Sequence, residues 1–430
     1  MKSREVVFAF VVLLILYSVY LFLGVKTVPF HPDESSLLYQ SRDLEKMISE
    51  PGTLFWSDTP INAYDQSYRL LNAPLAKYII GIGRLSAGYG AESVSMDWDW
   101  GQTWDENAQR GALPSDRLLL GSRLAVALFL PLSIVLIYFA AQSLGGVCSG
   151  LMAGLLLAVN TLVLLHTRRA MAEGVLLFGI CLAILGVLYA DRHPWLDGLG
   201  VGLAISAKYS ALALLPAGLV AVLWSSGLDR RQVLKKMSVF ILTFSLVIIL
   251  LHPVLWRSPL RAVNEMVHAR TEFLSSQVST LETHNPEQHL DSPQKRLGVM
   301  LYTLFLGAPQ FEEVGNYTSF LADETDAYLN TLGNNLLGGP IWGGILLFFT
   351  LLGVWIGVRI VIGRESGRQR RGIILLMLMS VCQTGALLIL NPLPYQRYYL
   401  PLIPFVCLWA ALGLTTSATY IKKAVHRSNG

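Results

Sequence analysis

Just past the first apolar run, Val6 to Val25, the stretch His31-Pro32-Asp33-Glu34 sets two adjacent carboxylates beside a hydrophobic segment. An ionisable group so close to hydrocarbon costs free energy unless it is solvated or paired, so the pair marks a candidate site. A carboxylate in that position can take the proton of an incoming hydroxyl. Its other use is to cap the helix that Ser35-Ser36-Leu37-Leu38-Tyr39 would begin, at the positive end of the dipole.

The cations that could complement these acids are few. Arg168-Arg169 stands at an expected outer loop, where basic residues are disfavoured, with Glu173 one helical turn onward. Two readings stay open for it: guanidinium forks matched to a phosphate, or an internal salt bridge with Glu173. Lys208, in Ser206-Ala207-Lys208-Tyr209-Ser210, either meets an anion or snorkels to the interface. Lys77, Arg257 and Arg397, the last in Gln396-Arg397-Tyr398-Tyr399-Leu400-Pro401, complete the set on the same expected face. A base at one end and an anion clamp at the other suit sugar transfer from a lipid phosphate. The carboxylate takes the acceptor's proton and the cations stabilise the departing phosphate.

These residues must be positioned by membrane-spanning helices. Apolar residues make up 53% of the chain and charged ones 14%, and the apolar residues are bunched into long runs instead of amphipathic intervals. Spans are expected at Val6–Val25, Leu118–Phe139, Gly150–Leu165, Met171–Ala190, Val239–Val254, Leu336–Ile362, Ile373–Leu390 and Tyr399–Leu414. The block Leu196–Trp224 is long for one crossing, so it crosses twice or dips and returns, with Lys208 at the turn. Lys2 and Arg4 before the first span, the basic run Arg364 to Arg371 and the tail Lys422-Lys423 with Arg427 place both termini in the cytoplasm, and the acidic pair outside. The fold class is an all-α polytopic membrane protein, about ten transmembrane helices with extracytoplasmic loop helices, in one domain over 1–430.

Two outer loops carry the polar sequence, 26–116 and 256–332. The first contains an apolar interruption, Leu70 to Leu85, that suits the membrane surface, and the tryptophan-rich stretch Met96 to Glu106, expected at headgroup level. Its acids leave open a divalent cation, without spacing that establishes one. Ser258 to Phe273 reads as a surface helix and Ser275 to Lys295 as a mobile polar segment. Cys148, Cys181, Cys382 and Cys407 have no metal-ligand spacing and suggest no disulfide framework. A glycine loop for nucleotides is missing, and neither nucleotide nor nucleic acid is an expected partner.

The order of these motifs resembles GT-C fold glycosyltransferases of the family 39 group, which includes protein O-mannosyltransferases and lipid A aminoarabinose transferases. The resemblance rests on Asp33-Glu34 after span one, Asn72-Ala73-Pro74-Leu75-Ala76-Lys77, Arg168-Arg169-Ala170-Met171-Ala172-Glu173, Gly202 to Ser210, and Arg397-Tyr398-Tyr399-Leu400-Pro401. Asn72 and Ala73 depart from the His-Pro that often opens the second motif. The resemblance implies a GT-C bundle with Asp33 as catalytic carboxylate and Glu34 supporting it or contacting the acceptor. It also implies that Lys77, with outer-face cations among Arg168, Arg169, Lys208 and Arg397, meets the phosphate of a polyprenyl-phosphate sugar, Glu173 supporting. The acceptor would be protein, lipid or glycan. The competing class is a lipid-binding or lipid-translocating protein, or a structural subunit, that keeps the fold without the chemistry.

Overall fold

The computed structural model describes residues 3–225, 229–311, 315–336, 338–363 and 367–428, and among these the regular elements are helical, without strands. Lys2 and Arg364, used above to set topology, lie outside the described residues. Helix α1 (Ser3–Leu23) leads to a loop layer of short helices: α2 (Pro32–Gln40), α3 (Asp43–Ser49), α4 (Ala63–Leu71), α5 (Leu75–Ser86) and α6 (Trp104–Gln109). The apolar interruption expected at 70–85 is thus two helices, parted where Pro74 denies the chain a backbone donor.

The bundle continues with α7 (Asp116–Ala127), α8 (Phe129–Ala158), α9 (Thr161–Thr167), α10 (Ala172–Leu188), α11 (Pro194–Ala207), α12 (Leu215–Ser225) and α13 (Arg230–Leu251). A second loop layer holds α14 (Pro259–His284), α15 (Pro293–Leu301) and α16 (Ala322–Asn330), and α17 (Pro340–Ile362), α18 (Gly367–Leu390) and α19 (Ile403–Ser428) complete the bundle. Among the described residues six helical runs are long and apolar enough to cross a membrane.

The chain turns at three points, two of them between expected spans and the third inside the Leu196–Trp224 block, and the second and third place residues of the site. The run Asp116–Ala158, at 43 residues, would reach about 65 Å if straight, twice the roughly 30 Å of hydrocarbon. It turns back instead at Gly146, whose φ of 81° favours glycine. A Cβ on Gly150 would lie 2.9 Å from Tyr138, so the two limbs pack side by side. Helices α9 and α10 meet at a 120° bend that holds Arg168, Arg169 and Ala170. Lys208 sits in extended backbone at the end of α11, before the 3-10 turn Tyr209–Leu214 leads into α12. That is the turn expected within Leu196–Trp224.

The core lies between α8, α10, α11 and α19. It is lined by Leu130, Ile134, Ile180, Ile184, Ala204 and Leu408. Crossing α10 over α11 requires small residues, because a Cβ on Gly186 would come within 2.5 Å of the Asp197 Cα. Most of α19's apolar window is buried (78%), whereas those of α1 and α13 are 11% buried, so α19 is central and the other two face lipid. A smaller cluster of Leu38, Ile80, Leu118, Val126 and Ala170 fastens the first loop layer to α7 and to the α9–α10 bend.

Helix α14 continues to His284, well past the expected end at Phe273 and into the stretch expected to be mobile. The buried Leu281 anchors its final turns. It stops at Asn285-Pro286, where the residue before proline disfavours the helical region. All four cysteines are free thiols.

Candidate functional site

The adjacent acids are separated by the first turn of α2. His31 is its N-cap: its Nδ1 accepts from the Asp33 N–H at 3.1 Å, while its own N–H donates to Glu34 Oε2 at 3.1 Å, a reciprocal capping box. Glu34 is fully buried. Arg123 grips it with two bonds, Nε to Oε1 at 2.7 Å and Nη2 to Oε2 at 2.6 Å, and the Ala170 N–H adds a third at 2.7 Å. Burial pushes the Glu34 carboxyl up, but the Arg123 guanidinium, Arg169 and the Ala170 N–H together outweigh burial and the net shift is downward. The expectation that Glu34 contacts an acceptor thus meets a carboxylate with both oxygens already engaged.

Asp33 faces the other way. Its side chain is 26% exposed and paired with Arg397, from the 3-10 turn Gln396–Leu402. Nearby, Lys208 donates to Glu173 at 2.9 Å and lies 4.8 Å from the Tyr398 ring centre. Arg397 also acts electrostatically on Glu173. Glu173 is buried, and its second oxygen has no hydrogen-bond partner among the described residues. Four segments far apart in sequence therefore bring together Asp33, Arg397, Glu173 and Lys208, four of the residues expected from sequence. Arg397 is itself held by its neighbour: Gln396 and Gln310 bond each other's backbone N–H through their side-chain oxygens, at 2.5 and 2.9 Å.

The arginine pair serves elsewhere. Arg168 is fully buried and passes Gly24, where a Cβ would come within 2.3 Å of its guanidinium. It donates to the Leu21 and Tyr20 carbonyls at 3.2 and 3.3 Å and to Asn334 Oδ1 at 2.6 Å, capping the end of α1. Arg169, also fully buried, donates to the Pro29 and Phe311 carbonyls at 3.1 and 2.9 Å. The internal salt bridge with Glu173 is not formed, since Glu173 pairs with Lys208, and the donors named here meet carbonyl oxygens.

Lys77 is buried with its ammonium 2.7 Å from Asp43, which Arg69 also grips at 2.9 and 2.7 Å. Burial pushes the Asp43 carboxyl up, yet Lys77 and Arg69 hold it well below the usual carboxylate range. Lys77 is pushed down, because burial outweighs the pull of Asp43. Asp43, Arg69 and Lys77 line a narrow cleft together with Tyr209 and His252. Since Tyr209 follows Lys208, this cleft adjoins the Asp33 cluster.

Sequence reading overlooked Arg123, Asp43, Arg69 and His252. Arg123 carried a signal, being a charge inside an apolar run. So did His252, which lies inside the expected span Val239–Val254, whereas Asp43 and Arg69 lie in a polar loop, where nothing marks one charge from the next. Among the described residues no three or more His, Cys, Asp or Glu are grouped to hold a metal. In the tryptophan-rich stretch two of the acids are in other contacts: Asp97 accepts from Tyr64 and Tyr68, and Asp99 from Arg110.

Residues 67–267 match the profile of the dolichyl-phosphate-mannose-protein mannosyltransferases. No curated protein matches the chain. Among solved structures, it is similar to the apo oligosaccharyltransferase of Archaeoglobus fulgidus, at 12% identity and a TM-score of 0.53 over 98% of this chain and 52% of that one. It is also similar to ArnT from Cupriavidus metallidurans bound to undecaprenyl phosphate, at 16% identity and a TM-score of 0.52 over 98% of this chain and 64% of that one. The chain thus spans between half and two thirds of the length of those proteins. With its helical bundle, broken spans and loop helices, it has the GT-C glycosyltransferase fold and resembles the family 39 mannosyltransferases.

Proposed function

We propose that this chain is a membrane glycosyltransferase that moves a monosaccharide from a polyprenyl-phosphate donor to an acceptor hydroxyl or amine. The observation that carries the reading is the division of labour at α2. Glu34 is locked into the scaffold, whereas its neighbour Asp33 is a partly exposed carboxylate on an arginine, beside a lysine with an aromatic neighbour. Support for the donor class comes from ArnT, solved with undecaprenyl phosphate, and from the archaeal oligosaccharyltransferase AglB, solved with an inhibitory peptide and a dolichol-phosphate. Both likenesses, at 16% and 13% identity, show a shared fold, and the donor class is carried from them to this chain only as part of this proposal.

In the proposed reaction the acceptor O–H or N–H gives its proton to the Asp33 carboxylate as its heteroatom attacks the anomeric carbon. The bond from that carbon to the phosphate oxygen breaks, and the configuration inverts. Arg397 leaves Asp33 for the incoming phosphate, so one guanidinium first orients the base and then stabilises the leaving group. Lys208 supports it, and Glu173 holds Lys208 in place. Lys77, on the wall of the adjoining cleft, reaches the donor only from within its pair with Asp43. Arg168 and Arg169 act by fixing the end of α1 and the residues before α2. The site faces the extracytoplasmic side, as the basic residues expected at the opposite end imply.

Consumption of a panel of polyprenyl-phosphate sugars by the purified chain in vesicles, with envelope extract as acceptor, tests this. One donor consumed by the native chain and spared by Asp33→Asn is the expected outcome. Undiminished turnover in Asp33→Asn removes Asp33 from the mechanism, and failure of every donor to bind overturns the proposal.

A further inference from the structure

A continuous set of aromatic rings runs outward from the first turn of α2. The His31 ring, two residues before Asp33, meets Tyr317 edge-on at 6.1 Å between centres. Tyr317 in turn touches Trp100 at 6.1 Å and Trp98 at 6.4 Å. Trp98 packs on Trp104 at 5.6 Å, and Trp104 stacks on Phe320 at 5.1 Å with the rings 7° from parallel. The set is graded in depth. Tyr317 and Trp98 are buried at 0% and 2%, while Trp100 and Phe320 are exposed at 40% and 50%, so fixed inner rings back exposed outer ones.

Carboxylates are set among the rings. Asp99 has a 43% exposed side chain, and Asp105 and Glu106 are exposed. From Met96 to Glu106 there is no lysine or arginine; the nearest in sequence is Arg110, 2.8 Å from Asp99. A surface of this kind repels anionic lipid headgroups, which are drawn to basic clusters. It suits a neutral ligand that has apolar C–H faces to lay on rings and many hydroxyl donors to give to carboxylates. Sugars have both.

We propose that Trp100 and Phe320, backed by Trp98, Trp104 and Tyr317, form the acceptor-binding face, and that the acceptor is a hydroxyl-rich glycan. The inference rests on the glycosyl-transfer reading for its role and deepens it by choosing among acceptors. Both outer loops supply the face, and His31 carries it to the helix turn that presents Asp33.

Tryptophan fluorescence of the full chain in detergent, titrated with soluble neutral oligosaccharides such as mannotriose, maltotriose and chitotriose, tests the binding directly. A serine- and threonine-bearing peptide and phosphatidylglycerol vesicles are the comparison ligands. The expected result is saturable quenching by at least one oligosaccharide. Trp100→Ala or Phe320→Ala should weaken it about three- to tenfold, the worth of one aromatic contact, and Trp100→Phe should restore most of it. In transfer assays the same alanine variants should raise the acceptor KM more than they lower kcat. Quenching by no oligosaccharide, affinity unchanged in both alanine variants, or quenching only by peptide or vesicles overturns the proposal. The titration needs no donor. Glycan binding without transfer from any donor would therefore remove the transfer reading and leave this face standing as a glycan site.

Discussion

Two isosteric amide substitutions at neighbouring positions should fail in different ways. In Glu34→Gln the single remaining oxygen can serve one side of the old carboxylate. The new NH2 must then face either Arg123 Nε and the Ala170 N–H or Arg123 Nη2 and the His31 N–H, donors against donors. Removing one partner of a buried ion pair costs about 3–5 kcal/mol, and here Arg123 would remain buried without its counter-charge. Asp33→Asn removes a pair whose carboxylate is 26% exposed, and partly exposed pairs contribute about 0–1 kcal/mol. That variant should melt close to the native chain while transfer drops about 10²- to 10⁴-fold, the usual worth of a general base. The assay is thermal unfolding of each variant in detergent, paired with donor consumption at a temperature where both are folded. Full stability with no turnover in Glu34→Gln would refute the scaffold role. A large loss of stability in Asp33→Asn would refute the division of labour.

Replacing both Glu34 and Arg123 by apolar residues of similar volume should destabilise less than Glu34→Gln alone, since no buried charge is left unpaired; a double-mutant cycle by thermal unfolding measures this. Arg397→Ala should lower turnover about 10²- to 10³-fold and weaken binding of polyprenyl phosphate, with Arg397→Lys recovering part of it; unaltered binding would separate Arg397 from the phosphate. Gly186→Leu should prevent assembly of α10 on α11, read as loss of the monodisperse species on size exclusion, because the added side chain meets backbone at Asp197. Asp43 has a folded-state pKa depressed below its ordinary 3.8, so the unfolded chain takes up the proton more readily. Its contribution is complete above about pH 4 and is lost as pH falls further; Asp43→Asn should flatten the acid limb of a melting-temperature profile.

The bundle was legible where long apolar runs coincide with most of a helix, as at α17 and α18, whereas α13 begins nine residues before the expected Val239. Polarity could also place the two outer loop layers. The reversal at Gly146 was legible only as the gap between two expected spans, since a glycine among apolar residues does not announce a positive φ. Of the site, Asp33, Glu173, Lys208 and Arg397 could be gathered because each is an unusual charge at the same expected membrane face. What sequence does not specify is direction. Asp33 and Glu34 are chemically alike, and the roughly 100° between consecutive helical positions sends the first to Arg397 and the second to Arg123. Arg168 and Arg169 were conspicuous as exceptions in an expected outer loop, and in the structure they meet backbone carbonyls at the end of α1 and in the loops, together with the Asn334 side chain, partners that carry no sequence signature.

The clasp on Glu34 also sets an order of events during synthesis. Its carboxylate waits 89 residues for Arg123 and 136 for the Ala170 N–H. At 5–20 residues per second the second interval is about 7–27 s. Throughout that time the first loop layer carries an acid destined for burial whose full set of partners has not been made. The turn that presents Asp33 can therefore reach its final form only once the chain has been built as far as the α9–α10 bend, and a nascent fragment ending before Ala170 would hold that acid incompletely bound.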